Sequence, residues 1–169
     1  MKKPVFLITS LIGALFIGSC TSYTDKDYGP VSFETAFEDG DDMLFEGPNE
    51  AIVTIPFTPE EFDIKKETVG GMKLQSITLN TNFPGGFGVF ENLKVEVSSD
   101  NTSSLTIGVM NEVPNGNVIT IEGLESAKIE KFNTVDEFYL QIEGNLKEDL
   151  DEVFDVFGEF TLSVESSEE

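Results

Sequence analysis

From Val31 onward the chain alternates between apolar and polar side chains. The exchange is plain in VSFETAF, AIVTIPF, LKVEVSS, SLTIGVM, NVITIEGL and DEFYLQIEG. A period of two sends one set of side chains to a single face of a β-strand. Val31, Phe33 and Phe37 share one face, as do Val53, Ile55 and Phe57, with Pro56 marking an edge or a strand end because it cannot donate to a ladder. In MKLQSITLNT the apolar phase slips between Leu74 and Ile77, and a β-bulge there restores the inward face. The last segment, KEDLDEVFDVFGEFTLSV, carries two signals. Leu150, Val153, Phe154 and Phe157 fall at helical spacing, whereas Phe154, Val156, Phe160, Leu162 and Val164 share the parity of a strand. The longer run decides for a strand from Val153 to Val164, with any helix confined to residues 146–152.

Between these runs lie turn residues: Gly40, Gly47 and Pro48, then Asp100-Asn101-Thr102, then Pro114-Asn115-Gly116. About seven to nine short strands separated by such signals, with no sustained helical repeat, predict an all-β antiparallel β-sandwich. Immunoglobulin-like and jelly-roll-like connectivities both fit. The paired cysteines and core tryptophan of immunoglobulin domains are absent.

The first 20 residues are of another kind. Lys2 and Lys3 precede an apolar run from Val5 to Ile17, too short for the ~20 apolar residues that span a bilayer. A positive start, a short apolar middle and small residues before a cut point form a secretory signal peptide. The run ends Ile17-Gly18-Ser19-Cys20 at the chain's single cysteine. This stretch resembles the lipobox of bacterial lipoproteins. The resemblance implies a signal peptide over 1–19, a Cys20 that is acylated and becomes the first residue, and membrane lipid as a partner. Thr21 in place of an aspartate implies the outer membrane by the sorting rule of that family. Two or three acyl chains hold a protein firmly, at ~0.8 kcal/mol per buried CH₂, so no transmembrane helix is needed.

After Cys20 the polar stretch CTSYTDKDYGP has no periodicity and reads as a flexible tether over 20–30. The sandwich is expected over 31–166 and an acidic tail over 167–169. The pattern VPNGNVITIEGL…DEFYLQIEG, from Val113 to Gly144, is similar to small β-sandwich lipoproteins of Gram-negative bacteria that have no assigned activity.

Composition then narrows the chemistry. Without the leader, eight lysines face 32 acidic residues, a net charge of −24, and there is no Arg, His or Trp. Histidine-based triads, HExxH zinc sites and His general bases are closed to this chain. An acylated Cys20 is neither nucleophile nor metal ligand. So negative a surface repels nucleic acid. What stays open is carboxylate chemistry or hard-cation binding by oxygen.

Glu38-Asp39-Gly40-Asp41-Asp42 gathers carboxylates around a glycine. Asp39, Asp41 and Asp42 are the candidate ligands of a calcium ion, against a simple solvated loop. Apart from that ion no cofactor is implied. Glu148, Asp149, Asp151, Glu152 and Asp155 form a second acidic set. Tyr139 is the lone tyrosine on the expected domain, either a sugar-stacking ring or an ordinary outward residue. FPGGFGVF (Phe83 to Phe90) is either an exposed aromatic tip or a plug for an open end of the sandwich.

The reading that follows is a lipid-anchored envelope module without catalysis, whose partner is an envelope protein or a glycan. A calcium-dependent adhesin or assembly factor is the second reading, and a carboxylate-based glycan hydrolase the third.

Overall fold

The computed structural model describes residues 22–37, 43–130 and 134–167. Eight strands run in chain order: β1 (Tyr23–Phe37), β2 (Gly47–Pro56), β3 (Val69–Asn80), β4 (Phe90–Ser99), β5 (Thr102–Met110), β6 (Val118–Glu122), β7 (Glu137–Leu146) and β8 (Phe154–Ser167). They form two four-stranded antiparallel sheets, ordered β1-β8-β3-β6 and β2-β7-β4-β5. First pairs with last, second with seventh, third with sixth and fourth with fifth. That order is the eight-stranded jelly roll, not the immunoglobulin arrangement. The all-β sandwich predicted from alternation is present, at eight strands.

Strand β8 lies between β1 and β3, and its inward row keeps one parity throughout: Phe154, Val156, Phe160, Leu162 and Val164 are all buried. Gly158 fills the inward place between Val156 and Phe160, opposite Phe33. A Cβ there would come 2.2 Å from the Phe33 ring, which lies over the glycine instead.

Both neighbours of β8 shift phase at the same height. In β1 the register jumps between Tyr28, opposite Leu162, and Val31, opposite Phe160. In β3 it jumps between Leu74, also opposite Leu162, and Ser76. The first bulge turns Tyr28 and Phe33 to the same side, and the second does so for Leu74 and Ile77, as the sequence slip requires. Gly29 makes the first one feasible, since φ is +132° and a Cβ would meet the Phe160 carbonyl oxygen at 2.6 Å.

The polar stretch from Tyr23 to Pro30 is therefore strand, not tether. Tyr23, Asp25 and Asp27 face solvent, and an edge strand tolerates such side chains because backbone pairing with β8 holds it. Tyr28 is fully buried. Its ring packs on Phe62 and Phe57 at 4.7 and 5.4 Å. Its hydroxyl donates to the Pro56 carbonyl at 3.1 Å and accepts the Thr58 N–H at 3.3 Å, tying one sheet to the other.

Three other local expectations change. Gly47 and Pro48 open β2 rather than interrupt the chain. No helix forms over 146–152, where Leu150 exchanges two 2.8 Å backbone bonds with Leu44. The tail shortens because β8 continues to Ser167. Between β2 and β3 the chain makes two short 3₁₀ turns, Pro59–Phe62 and Lys66–Thr68.

Two outcomes check this packing. Tyr28→Phe leaves a carbonyl and an N–H without their partner, and should cost about 1–2 kcal/mol by urea unfolding; a tether residue would cost nothing. Gly158→Val forces a branched side chain under Phe33 and should cost about 1–3 kcal/mol in the same measurement.

Candidate functional site

The roll has two ends. One gathers the connections β1–β2, β3–β4, β5–β6 and β7–β8; the other holds the start of β1, the end of β8 and the remaining connections. We call them the far end and the terminal end.

At the far end the aromatic tip folds inward. Phe83, Phe87 and Phe90 surround Phe154 with ring centroids at 5.0, 5.5 and 5.0 Å, and Phe37 adds to the cluster at 4.9 Å from Phe90. Phe87 and Phe90 are fully buried. A glycine is required at position 86, where φ is +56° and a Cβ would come 2.3 Å from the Gly116 carbonyl oxygen. That carbonyl accepts the Phe87 N–H at 2.8 Å, and the Asn117 amide donates to the Thr81 and Phe83 carbonyls. The two loops are stitched together, and FPGGFGVF is the plug of the sandwich end.

Asp39, Asp41 and Asp42 lie outside the described residues, and so does Cys20. In the second acidic set, Asp149 spends one carboxylate oxygen accepting the Glu46 N–H at 2.7 Å. Glu148, Asp151, Glu152 and Asp155 are exposed. Among the described residues no three Asp, Glu or Cys side chains converge as a metal cage would need.

The outer face of β2-β7-β4-β5 leaves Ile52 and Val109 exposed, and most of its polar groups bond to one another. Lys94 bridges Glu143 at 2.7 Å and Glu96 at 3.4 Å. Glu96 also accepts the hydroxyls of Thr106 at 2.8 Å and Ser104 at 3.0 Å. Gln141 donates to Glu50, and Asn145 to Asn92. Tyr139 points outward and donates to Asp100 at 2.9 Å, a bond that raises its pKa. The phenol is an ordinary outward strand residue holding a turn. The hydroxyl of Thr106 foremost, then Ser104 and Lys94, hold the Glu96 carboxyl below the usual carboxylate range against the opposing effect of burial. The hydrogen bond to Glu143 is the main cause that lifts Lys94 above its ordinary value.

At the terminal end is a cleft of about 260 Å³ that the sequence pattern did not single out. Thr24 and Lys26 reach it from β1, Asp63 and Lys65 from the β2–β3 connection, and Thr68 and Ser166 form its floor. Asp63 holds a left-handed backbone, φ +56°, which aspartate tolerates. Its carbonyl accepts the Lys26 ammonium at 2.9 Å. Thr68 donates its one hydroxyl proton to the Lys65 carbonyl at 2.7 Å, so the 2.9 Å contact with Ser166 is donated by Ser166. The two buried hydroxyls thereby clamp the turn that carries Lys65. These residues are far apart in sequence, and only the pairing of β1 with β8 and β8 with β3 brings them together.

No family model matches the chain. No curated protein matches it either. Among solved structures it is similar to the crystal structure of a two-domain protein of unknown function from Bacteroides fragilis, at 12% identity and a TM-score of 0.38. The match covers 83% of this chain and 44% of that one, so this chain spans less than half of that protein's length. A likeness of that degree says nothing of what either protein does.

The depressed Glu96 gives a pH-dependent outcome. Its contribution is complete above the unfolded carboxylate value, about 4.3, and is lost as pH falls through the lower folded value. Glu96→Gln should therefore lower the unfolding free energy measured with urea at pH 6 by of order 1 kcal/mol, with the gap to the parent closing as pH falls through the lowered folded value.

Proposed function

We propose that the protein is a lipid-anchored module of the cell envelope, binding or structural rather than catalytic, held at the outer membrane through acylated Cys20. The observation that carries this reading is the place of the single thiol. It closes an apolar leader with the lipobox pattern, and only Thr21 and Ser22 separate it from β1.

The geometry is consistent with such an anchor. The chain enters the sandwich at the terminal end, so an acyl group at Cys20 draws that end toward the bilayer. The far end, with its four connections and the exposed carboxylates of Glu148, Asp151 and Glu152, is then the part turned toward an envelope partner, protein or glycan. The polar groups around Lys94 and Glu96 are bonded to one another, which suits a solvated wall more than a reacting centre.

Mass spectrometry of the native protein from membranes tests the reading. The expected N-terminal peptide starts at Cys20 and carries a diacylglyceryl thioether with an acylated amine. The variant Cys20→Ser should leave the membrane fraction and keep its fold. An unmodified Cys20, or a leader still attached, overturns the proposal.

A further inference from the structure

Toward the far end, the outer face of β1-β8-β3-β6 carries hydroxyl, amide and carboxyl side chains around one ring. Alternation sends Phe154, Val156 and Phe160 of β8 inward, and so turns Phe157 and Glu159 outward. Register sets their neighbours. Phe157 lies between Glu34 of β1 and Asn80 of β3, with Val118 of β6 beyond Asn80. Glu159 lies between Ser32 and Thr78, with Thr120 beyond. Ser32, Glu34, Asn80, Phe157 and Glu159 line a shallow depression of about 460 Å³, within the ~300–1,000 Å³ typical of small-ligand sites.

The two rows are bonded differently. In the second, Ser32 donates to Glu159 at 3.3 Å, and the Thr78 and Thr120 hydroxyls meet at 3.2 Å. In the row that holds the ring, the flanking polar groups are free. Among the described residues neither the Glu34 carboxylate nor the Asn80 amide has a side-chain hydrogen bond or ion pair. Phe154 and Phe160 of the same strand pack on other rings inside the sandwich. Phe157 is half-buried on the outside and, among the described residues, has no aromatic neighbour.

A ring with a free carboxylate on one side and a free amide on the other is complementary to a narrow class of ligand. The ring presents an apolar face with a negative quadrupole, against which C–H groups pack. Each flanking strand stands ~4.8 Å from β8, so the two polar side chains rise about 10 Å apart at the backbone. Glu34 only accepts, whereas Asn80 both donates and accepts. Hydroxyls answer both. Lysine is absent from the lining and arginine from the whole chain, so phosphate has no captor here. Glu34 and Glu159 turn away other anions. A protein partner would need a contiguous apolar core, which one ring amid hydroxyls and carboxylates does not supply. An uncharged ligand with a C–H face and hydroxyls at its rim meets these conditions together, and a sugar is such a ligand.

We infer that this depression binds a neutral saccharide, with the Phe157 ring stacked on a sugar face and Asn80 and Glu34 hydrogen-bonded to hydroxyls on either side. The site adjoins the far end, since Asn80 closes β3 there and Phe157 is in the first turn of alternation of β8. The inference deepens the proposed binding role by choosing a glycan as partner, and it rests on that reading only for where the glycan is met.

The test titrates maltotriose, cellotriose, xylotriose, mannotriose and chitotriose into the full native chain, kept soluble in a sugar-free detergent, with amide shifts as the readout. Trigalacturonic acid and a nonalysine peptide are the charged comparisons. At least one neutral trisaccharide should give saturable shifts confined to residues 32–34, 78–80 and 157–159. Phe157→Ala should lower that affinity roughly tenfold or more, and Phe157→Tyr should keep most of it. Glu34→Ala and Asn80→Ala should each lower it several-fold. Glu34 is exposed on an edge strand, so its variant judges the site even where Phe157→Ala disturbs the fold. No binding by any of the five sugars, or binding unchanged in Phe157→Ala and Glu34→Ala, overturns the site. Tighter binding of the acidic trimer than of every neutral one overturns the uncharged ligand. Binding of the lysine peptide alone overturns the saccharide in favour of a basic protein. A Cys20 found unacylated would remove the membrane anchor and leave these titrations to judge the sugar site.

Discussion

The phase of β8 is the constraint on which the rest of this sandwich depends. Its inward row keeps one parity over the whole strand, and it is hydrogen-bonded on both sides. A strand with no bulge of its own leaves any mismatch to its neighbours, and both neighbours absorb one residue at the height of Leu162. Each bulge restores an apolar row that would otherwise turn to solvent. The bulged Gln75 is not left unpaired, since its carbonyl accepts the Gly123 N–H at 3.0 Å. Gly123 in turn bridges to Gly108, and Leu124 donates to the Ile107 carbonyl at 2.8 Å. One register shift thus stitches the β6 edge of one sheet to the β5 edge of the other.

The opposite seam is closed by different means. Tyr28 reaches from β1 to the end of β2, and Thr35 donates to the Ile52 carbonyl at 3.1 Å. Between the seams the core is nearly free of gaps. The space among Met72, Ile107, Phe138, Leu140 and Phe160 amounts to about 10 Å³ with no polar lining, which is no place for a water that needs two or more polar partners. At the far end the core is finished by aromatic rings around Phe154, and the glycines of FPGGFGVF exist to let those rings turn inward.

Much of this was legible in the sequence because a half-buried strand writes its two faces into alternate positions. The slip between Leu74 and Ile77 even located a bulge. Tyr23 to Pro30 was not legible. In an edge strand with solvated side chains the backbone supplies the cohesion, and backbone pairing leaves no mark on residue type. Tyr28 is hidden for a further reason: the bulge at Gly29-Pro30 puts it out of phase with Phe33, so no simple alternation includes it. The apparent helical spacing of Leu150, Val153 and Phe154 had another cause, Leu150 being turned to pair with Leu44. Candidate chemistry was legible where it was local, as with the aromatic plug. The lysine cleft was not, because its walls come from both ends of the chain and a loop between them.

The strand that completes the β1-β8-β3-β6 sheet is also the last of the eight to be made. Ser166 bonds with Thr24 across 142 residues of chain, and β1 and β3 have no common partner until β8 arrives. A nascent chain that has not yet made β8 holds the inward rows of β1 and β3 with no strand between them. Pairings of such long sequence separation form slowly, and until they form those rows stay open to wrong contacts. The sheet therefore cannot close until β8 has been made.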